Sequence, residues 1–527
     1  MRDRETKEFG KFRSLFFPVR KSELKLFLPL VIIFFFVCFN YNVLRAAKDS
    51  LVITAPSSGA EIIPFMKVWA ILPMALVMTL LFTRLSNRFS TEKVFYIMMS
   101  IFLGFFALFT AVLYPLRDVL HPHIFANRLE ELLPLGCKGF VAILRNWTYT
   151  TFYVMAELWG TTIMTVLFWG FANEILNVKT AKRFYVLILI GGNLSAICAG
   201  VVSTYISDFG MKWGTRMDLD PWLCSLGFIS TLIIVCGIAV MGIFRWLHVA
   251  TLFHQSFSDQ HAYTRHKPSE FKMSLRENFK YLAQSKYLLF IATIVVTYNI
   301  CINLTEVTWK DQLLHLCPHP NELNAYLGKV NMWIGVMATI IALASGTFLR
   351  RFSWTVNALI PPLILFVAGM GFFGFLLCKE TPMGILLAGI LGSTPFAVGV
   401  FFGSVQQCLT RASKYTIFDA TKELAFIPLS KESKLKGKAA IDGVGSRLGK
   451  SGGAVIYQAL FIFFGTVSFT VPYVGVILLF VIGAWIVAVC ALGKKFNELV
   501  AHHETAPVPE EPVQVEAEKN PESVLLK

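Results

Sequence analysis

Residues 441–454 read IDGVGSRLGKSGGA, and two incompatible folds follow from two readings of this stretch. As a phosphate-binding loop, Gly449-Lys450-Ser451 would close a glycine-rich turn between a strand and a helix, the mark of an α/β nucleotide-hydrolysing domain. That loop has the form G-x-x-x-x-G-K-[ST]. The position that must be glycine is Val444, and Gly443 and Gly445 miss the register by one on either side. As a helix, the stretch places Asp442, Ser446 and Lys450 at i, i+4 and i+8. Gly445, Gly449 and Gly453 then repeat every four residues, the spacing that lets membrane helices approach closely.

Composition selects the helix. Of 527 residues, 55% are hydrophobic and 15% charged, 48 are phenylalanine, and the mean hydropathy is +0.61. A soluble chain carries roughly 25% charged residues. Apolar runs long enough for the ~30 Å hydrocarbon core lie near 26–44, 65–82, 94–114, 149–171, 184–205 and 222–244. After a polar stretch, others lie near 287–304, 330–348, 354–377, 383–409, 439–464 and 467–492. The chain reads as an all-α polytopic membrane protein of about twelve helices in two six-helix halves, a layout shared by many secondary transporters.

The segments follow from these runs: a cytoplasmic N-terminal segment over 1–25, an N-terminal half over 26–245, a central cytoplasmic loop over 246–286, a C-terminal half over 287–493 and a tail over 494–527. In the central loop, Leu275, Phe279 and Leu282 share one face, which predicts an interfacial helix. The tail is acidic and proline-rich, a composition that predicts disorder. With both termini in the cytoplasm, that side holds about thirty Lys and Arg against roughly a dozen on the other. Much of the formal charge of +15 has this origin, so it implies no nucleic-acid partner. Ten scattered cysteines without a C-x-x-C pair predict free buried thiols. His315, Cys317 and His319 lack an evident fourth ligand, so no metal is expected.

Charges inside apolar runs carry the functional information, because one at mid-span costs at least ~2.5 kcal/mol and usually faces a cavity. In YNVLRAAKDSL, Asn42, Arg45 and Lys48 recur at i, i+3 and i+6; the plain alternative is a pair of cations anchoring a helix end at the interface. Glu157, in MAELWGTTIM, must find a cation or a proton, and a structural salt bridge to a neighbouring helix would also satisfy it. In TYNICINLTEVTWKDQL, Asn299, Asn303, Glu306 and Lys310 share one face. This stretch echoes the first in beginning Tyr-Asn and ending Lys-Asp. In the eleventh run, the plain reading makes Arg447 and Lys450 interface anchors, but Lys450 lies ~12 Å along the helix from Asp442, which takes it into the membrane. Cations and carboxylates on several helices point to a cavity for a multiply charged anion, since phosphate groups are held by Arg and Lys. Trp159, Tyr298, Trp309 and Tyr457 are candidates for stacking a base.

The segments LRAAKDSLV, AELWGT…FWGFANE, TYNICINLTEVTWKDQL and GKAAIDGVGSRLGKSGG resemble the ATP/ADP translocases of plastids and obligate intracellular bacteria, with the overall pattern closest to chlamydial-type members. The resemblance runs along nearly the whole membrane region. It implies a major-facilitator-like fold and exchange of external ATP for internal ADP across a bacterial inner membrane. It also implies four critical positions, which fall on Lys48, Glu157, Glu306 and Lys450. Arg45 and Arg447 are added as phosphate contacts, and Asn42, Asn299, Asn303 and Asp442 as polar groups on the same faces. ATP and ADP are the expected partners, with inorganic phosphate a candidate co-substrate; the carrier is expected to be monomeric and to need no cofactor. The alternative is a sibling importer of other nucleotides, by proton symport or by exchange. An enzyme is disfavoured by the lack of a His-Asp or Cys-His constellation. An ATP-driven pump is disfavoured because the longest cytoplasmic loop is too short for a hydrolysing domain. The loop from Arg117 to Arg145, extended relative to plastid members, has no assigned role.

Overall fold

A computed structural model describes residues 19–176, 178–249, 285–441 and 445–505. The expected interfacial helix of the central loop lies outside the described residues, as do most of the N-terminal segment and most of the tail. Twelve helices organise the described chain. The first six are α1 (Leu24–Ile53), α2 (Ile62–Arg88), α3 (Thr91–Leu113), α4 (Trp147–Ile175), α5 (Val178–Met217) and α6 (Pro221–Leu247). The second six are α7 (Lys286–Leu316), α8 (Pro320–Arg351), α9 (Trp354–Cys378), α10 (Pro395–Ala425), α11 (Ser446–Phe464) and α12 (Val467–Thr505). Their starts are written locally. Asp220, Ser285, Ser353 and Thr394 each accept a backbone N–H at a helix N-terminus, and Pro221 and Pro395 open α6 and α10, where a missing N–H costs nothing.

Ten helices among the described residues are long and apolar enough to cross a membrane, and eleven if a bent pair counts as one span. That pair is the expected tenth span. A short helix, Pro382–Ile390, meets α10 at 76°, across a break containing Gly392, whose φ of +63° favours glycine. The remaining helix, α11, falls short in hydropathy because SRLGKSGG opens it. Two other departures concern function. Helix α1 runs to Ile53 and α7 to Leu316, well past the apolar runs ending near 44 and 304. The polar residues after those runs therefore lie inside the helices. All ten cysteines are free, but Cys378 and Cys490 are exposed, contrary to the expectation of uniformly buried thiols.

Glycine sets how the helices meet. A Cβ on Gly200 of α5 would lie 2.3 Å from the carbonyl oxygen of Gly328 on α8, and one on Gly335 would lie 2.9 Å from the Asn193 carbonyl. Backbone thus approaches backbone between the first and second sets of six helices. Further along, Asn324 donates to Ser207 at 2.8 Å and Ser225 to Asn321 at 2.6 Å. Helices α2 and α11 make the matching contact: Gln458 donates to the Pro64 carbonyl at 3.0 Å, and Phe65 stacks on Phe461. These contacts lie toward the end of the molecule away from the chain termini.

The segment between α3 and α4 folds over that same end as three short helices, Arg117–Leu120, His123–Leu132 and Lys138–Arg145. Gly136 presses so closely on α11 that a Cβ there would lie 2.2 Å from the Phe461 carbonyl oxygen. Lys138 pairs with Glu61 at 3.5 Å, and Arg145 with Glu130 at 2.9 Å. Buried His121 shares a 2.6 Å hydrogen bond with Thr148. Burial and then the neighbouring His123 push the His121 imidazole down to about 4.

Candidate functional site

Helix α1 carries Lys48 and Asp49 into the middle of the bundle. Lys48 is 4% exposed, and five further residues separate it from the end of α1 at Ile53; it does not anchor a helix end at an interface. Its ammonium lies 3.2 Å from Asp49, 3.2 Å from Glu157 of α4, and 3.7 Å from the centre of the Tyr153 ring, one turn before Glu157. The ring face and the two carboxylates together replace the hydration that the ammonium gives up. Glu157 is the more accessible partner, its side chain 34% exposed.

Glu306 of α7 gathers a second set of cations. Lys310, one turn on, lies at 2.8 Å, Arg411 of α10 at 2.9 Å and Lys67 of α2 at 3.8 Å. Lys310 also reaches back to Asp49 at 2.8 Å. The two clusters therefore join into one buried network, Glu157–Lys48–Asp49–Lys310–Glu306, with Arg411 and Lys67 at its end. Two of its links, Asp49 to Lys310 and Lys67 to Glu306, join the first six helices to the second six.

The other sequence-selected residues divide. Arg45 lines a pocket with Glu306, Lys310 and Arg411 but makes no hydrogen bond or ion pair of its own among the described residues. Asn303 accepts from Lys67 and donates to the backbone carbonyls of Asn299 and Lys450, so it ties α2, α7 and α11 together. Lys450 is exposed, lies within electrostatic range of Glu157, and has no ion pair among the described residues. Arg447 is exposed one turn earlier. Asn42 and Asn299 turn back onto their own helices, donating to the carbonyls of Cys38 and Val295. Asp442 lies outside the described residues. Gly449 and Gly453 of α11 pack on α7, where added Cβ atoms would come within 2.7 Å of Asn299 and 2.9 Å of Asn303. Gly445 meets only Ile441 of the chain just before it.

Four network members were not singled out by sequence: Asp49, Lys67, Arg411 and Tyr153. Lys67 carried a usable signal, being the lone charge between residues 62 and 83, the same criterion that selects Glu157. Arg411 carried none, because it opens a basic run that reads as a cytoplasmic loop and is in fact the middle of α10. Helix geometry marks the same places. A π-helical turn begins at Lys67, another at Gly160 after Glu157, and another at Lys414 after Arg411; such turns are frequent at functional sites.

With the residues named here ionised, six cations (Arg45, Lys48, Lys67, Lys310, Arg411 and Lys450) face three carboxylates (Asp49, Glu157 and Glu306), leaving three positive charges. An excess of that size gathered between the two sets of six helices, most of it out of contact with water, is satisfied by a polyvalent anion.

Comparison with known proteins agrees with this chemistry. A model of the TLC ATP/ADP transporter family matches residues 2–496. "ADP,ATP carrier protein 1" of Chlamydia pneumoniae is 43% identical over 512 residues, covering 95% of this chain and 99% of that protein. "ADP,ATP carrier protein 1, chloroplastic" of Arabidopsis thaliana is 40% identical, covering 93% of this chain and 76% of that protein. Among solved structures, a bacterial homologue of the iron transporter ferroportin in an inward-facing state superposes with a TM-score of 0.52 at 13% identity, over 91% of this chain and 99% of that one. A D-xylose-proton symporter superposes with a TM-score of 0.50 at 12% identity, over 87% and 97%. At these identities the likeness concerns the fold alone, a major-facilitator-like helical architecture.

Proposed function

The chain belongs to the TLC ATP/ADP transporter family, and on that premise we propose that it exchanges external ATP for internal ADP across a bacterial inner membrane by alternating access. The observation that carries the reading is the buried, cation-rich network spanning both halves. Lys48, Arg45 and Lys450 hold the phosphates near mid-membrane; Glu157 and Glu306 pair with some of the cations while the cavity is empty and release them when nucleotide arrives. The substrate rests between residues 26–245 and 287–493, which rock about it. Both termini face the cytoplasm, so the contacts between α2 and α11 and between α5 and α8 seal the external side, and Arg447 and Lys450 stand on the open cytoplasmic side. Asn303 positions Lys67 and α11. The protein acts as a monomeric carrier and not as an enzyme.

Reorienting an empty carrier would drag an uncompensated charge excess through a closed core, which is slow. That supports strict exchange over net uptake. Swapping ATP for ADP moves about one net charge, so the membrane potential biases the exchange by ~2.3 kcal/mol per 100 mV. The test is counterflow in proteoliposomes with a competition panel of nucleotides. Labelled ATP should enter vesicles loaded with ADP and stay out of empty ones. Uptake into empty vesicles driven by a proton gradient would replace exchange with symport.

A further inference from the structure

The segment between α3 and α4 lies apart from the ion-pair network, yet it carries an apolar surface that packing within the chain does not explain. Val119, Ile124, Phe125, Leu132 and Leu135 are between 57% and 84% exposed. Apolar side chains gathered in this way mark an interaction site. The middle helix, His123–Leu132, divides into three sectors. At about 100° per residue, fully buried Ala126 faces the bundle, with half-buried Leu129 and Glu130 on either side. Ile124, Phe125 and Leu132 form an exposed apolar sector, and Asn127 and Glu131 an exposed polar one. The three sectors are centred roughly 120° apart. A helix between protein and water needs only an inward face and a polar one. A third face, apolar and exposed, is what a helix lying along a membrane surface presents.

The apolar sector continues the lipid-facing surface of the spans. Exposed Leu108 and Val112 of α3 lead through Leu116 to Val119. At the other edge, Leu135 meets the end of α11: a Cβ on Gly465 would lie 3.7 Å from that of Leu135, and Ile462 and Phe463 beside it are exposed. Two exposed tryptophans stand at the same level. Trp69 of α2 meets Phe140 of the last short helix edge-on at 6.1 Å, and Trp147 donates to the Leu120 carbonyl at 2.9 Å. Tryptophan gathers where hydrocarbon meets headgroups. We infer that this segment is a membrane-docking surface, its apolar sector seated among acyl chains of the leaflet away from the chain termini. Arg128, within that sector, lays its stem on hydrocarbon and reaches the headgroups with its guanidinium. Lys138 ties the segment to Glu61 before α2, and Gly136 presses it on α11, so the docked segment bridges the two halves at that end.

The experiment places a nitroxide at Phe125, Leu132 or Glu131 of the full-length protein in liposomes, attached through a ketone-bearing amino acid so that the native cysteines are untouched. Relaxation of each label by oxygen, which partitions into lipid, is compared with relaxation by a water-soluble nickel chelate. Labels at Phe125 and Leu132 should respond to oxygen in preference to nickel and read depths of ~5–10 Å into the bilayer. The label at Glu131 should show the reverse preference. Because Glu131 and Leu132 are neighbours in sequence, opposite preferences also require that the helix be formed. The same preference at all three positions, for either reagent, overturns the docking. Shielding from both reagents at Phe125, with dipolar broadening that disappears when unlabelled protein is mixed in, overturns it as well by seating a second copy of the chain on this face.

Discussion

Glu306 holds three cations at once, so its removal is felt by all three. Taking away one partner of a buried ion pair costs ~3–5 kcal/mol. Glu306→Gln should lower the thermal midpoint of the detergent-purified protein, and ATP should raise that midpoint by more in the variant than in the unaltered protein, because phosphate oxygens take the carboxylate's place. An equal ATP-induced rise in both would argue against exchange of carboxylate for phosphate. Lys450 differs in having no ion pair among the described residues. Lys450→Ala should weaken ATP binding without lowering stability, whereas Lys48→Ala should do both; isothermal titration and thermal unfolding separate the two. At this scale the sequence was partly legible. Cost in the membrane picked out Lys48, Glu157, Glu306 and Lys450 without geometry. The Tyr-Asn and Lys-Asp echo proved less regular than it looked, since the pairs are seven residues apart in α1 and twelve in α7. Asp49 reaches across to Lys310, while Asp311 turns to its neighbour Gln312.

Helix α11 combines packing with the proposed phosphate contact. Its glycines face α7 and bring Lys450 to the site. Gly449→Val should abolish transport by separating the helices, whereas Gly452→Ala, with nothing within 4 Å of the added carbon, should transport normally. Proteoliposome uptake decides between them. The three-helix segment between α3 and α4 yields a prediction in pH. The pKa of His121 is held at about 4, below the ~6.5 of an unfolded chain, so the folded segment favours neutral imidazole. Its stabilisation is complete above about 6.5 and declines as pH falls from there toward 4. Protection factors for amide exchange over 117–145, taken relative to the intrinsic rate at each pH, should fall as pH is lowered across that interval, and His121→Gln should remove the dependence. Element existence was legible from apolar runs, but element ends were not. Hydropathy treats a polar residue as leaving the membrane whether it meets water or another helix. That is why α1 and α7 were cut short just where the residues of the ion-pair network begin, and why Arg411 was assigned to a loop.

At the scale of the molecule, Asp49–Lys310 and Lys67–Glu306 are fastenings between the halves as well as parts of the site. Asp49→Lys and Lys310→Asp should each favour separation of the halves at the end away from the termini, and the double swap should restore closure. Distances between spin labels at Trp69 and Gln458, which hydrogen-bond in the present form, report the outcome; a double swap no more closed than the single variants would show the pair to be incidental. The imbalance of six cations over three carboxylates has a further consequence once exchange is strict. Each turnover returns one nucleotide for every one taken, so the carrier alters the phosphorylation state of a cell's adenylate pool and never its size. A cell relying on it gains energy without gaining a single purine ring. Growth and division would then require a separate route by which nucleotides, or their precursors, enter to stay.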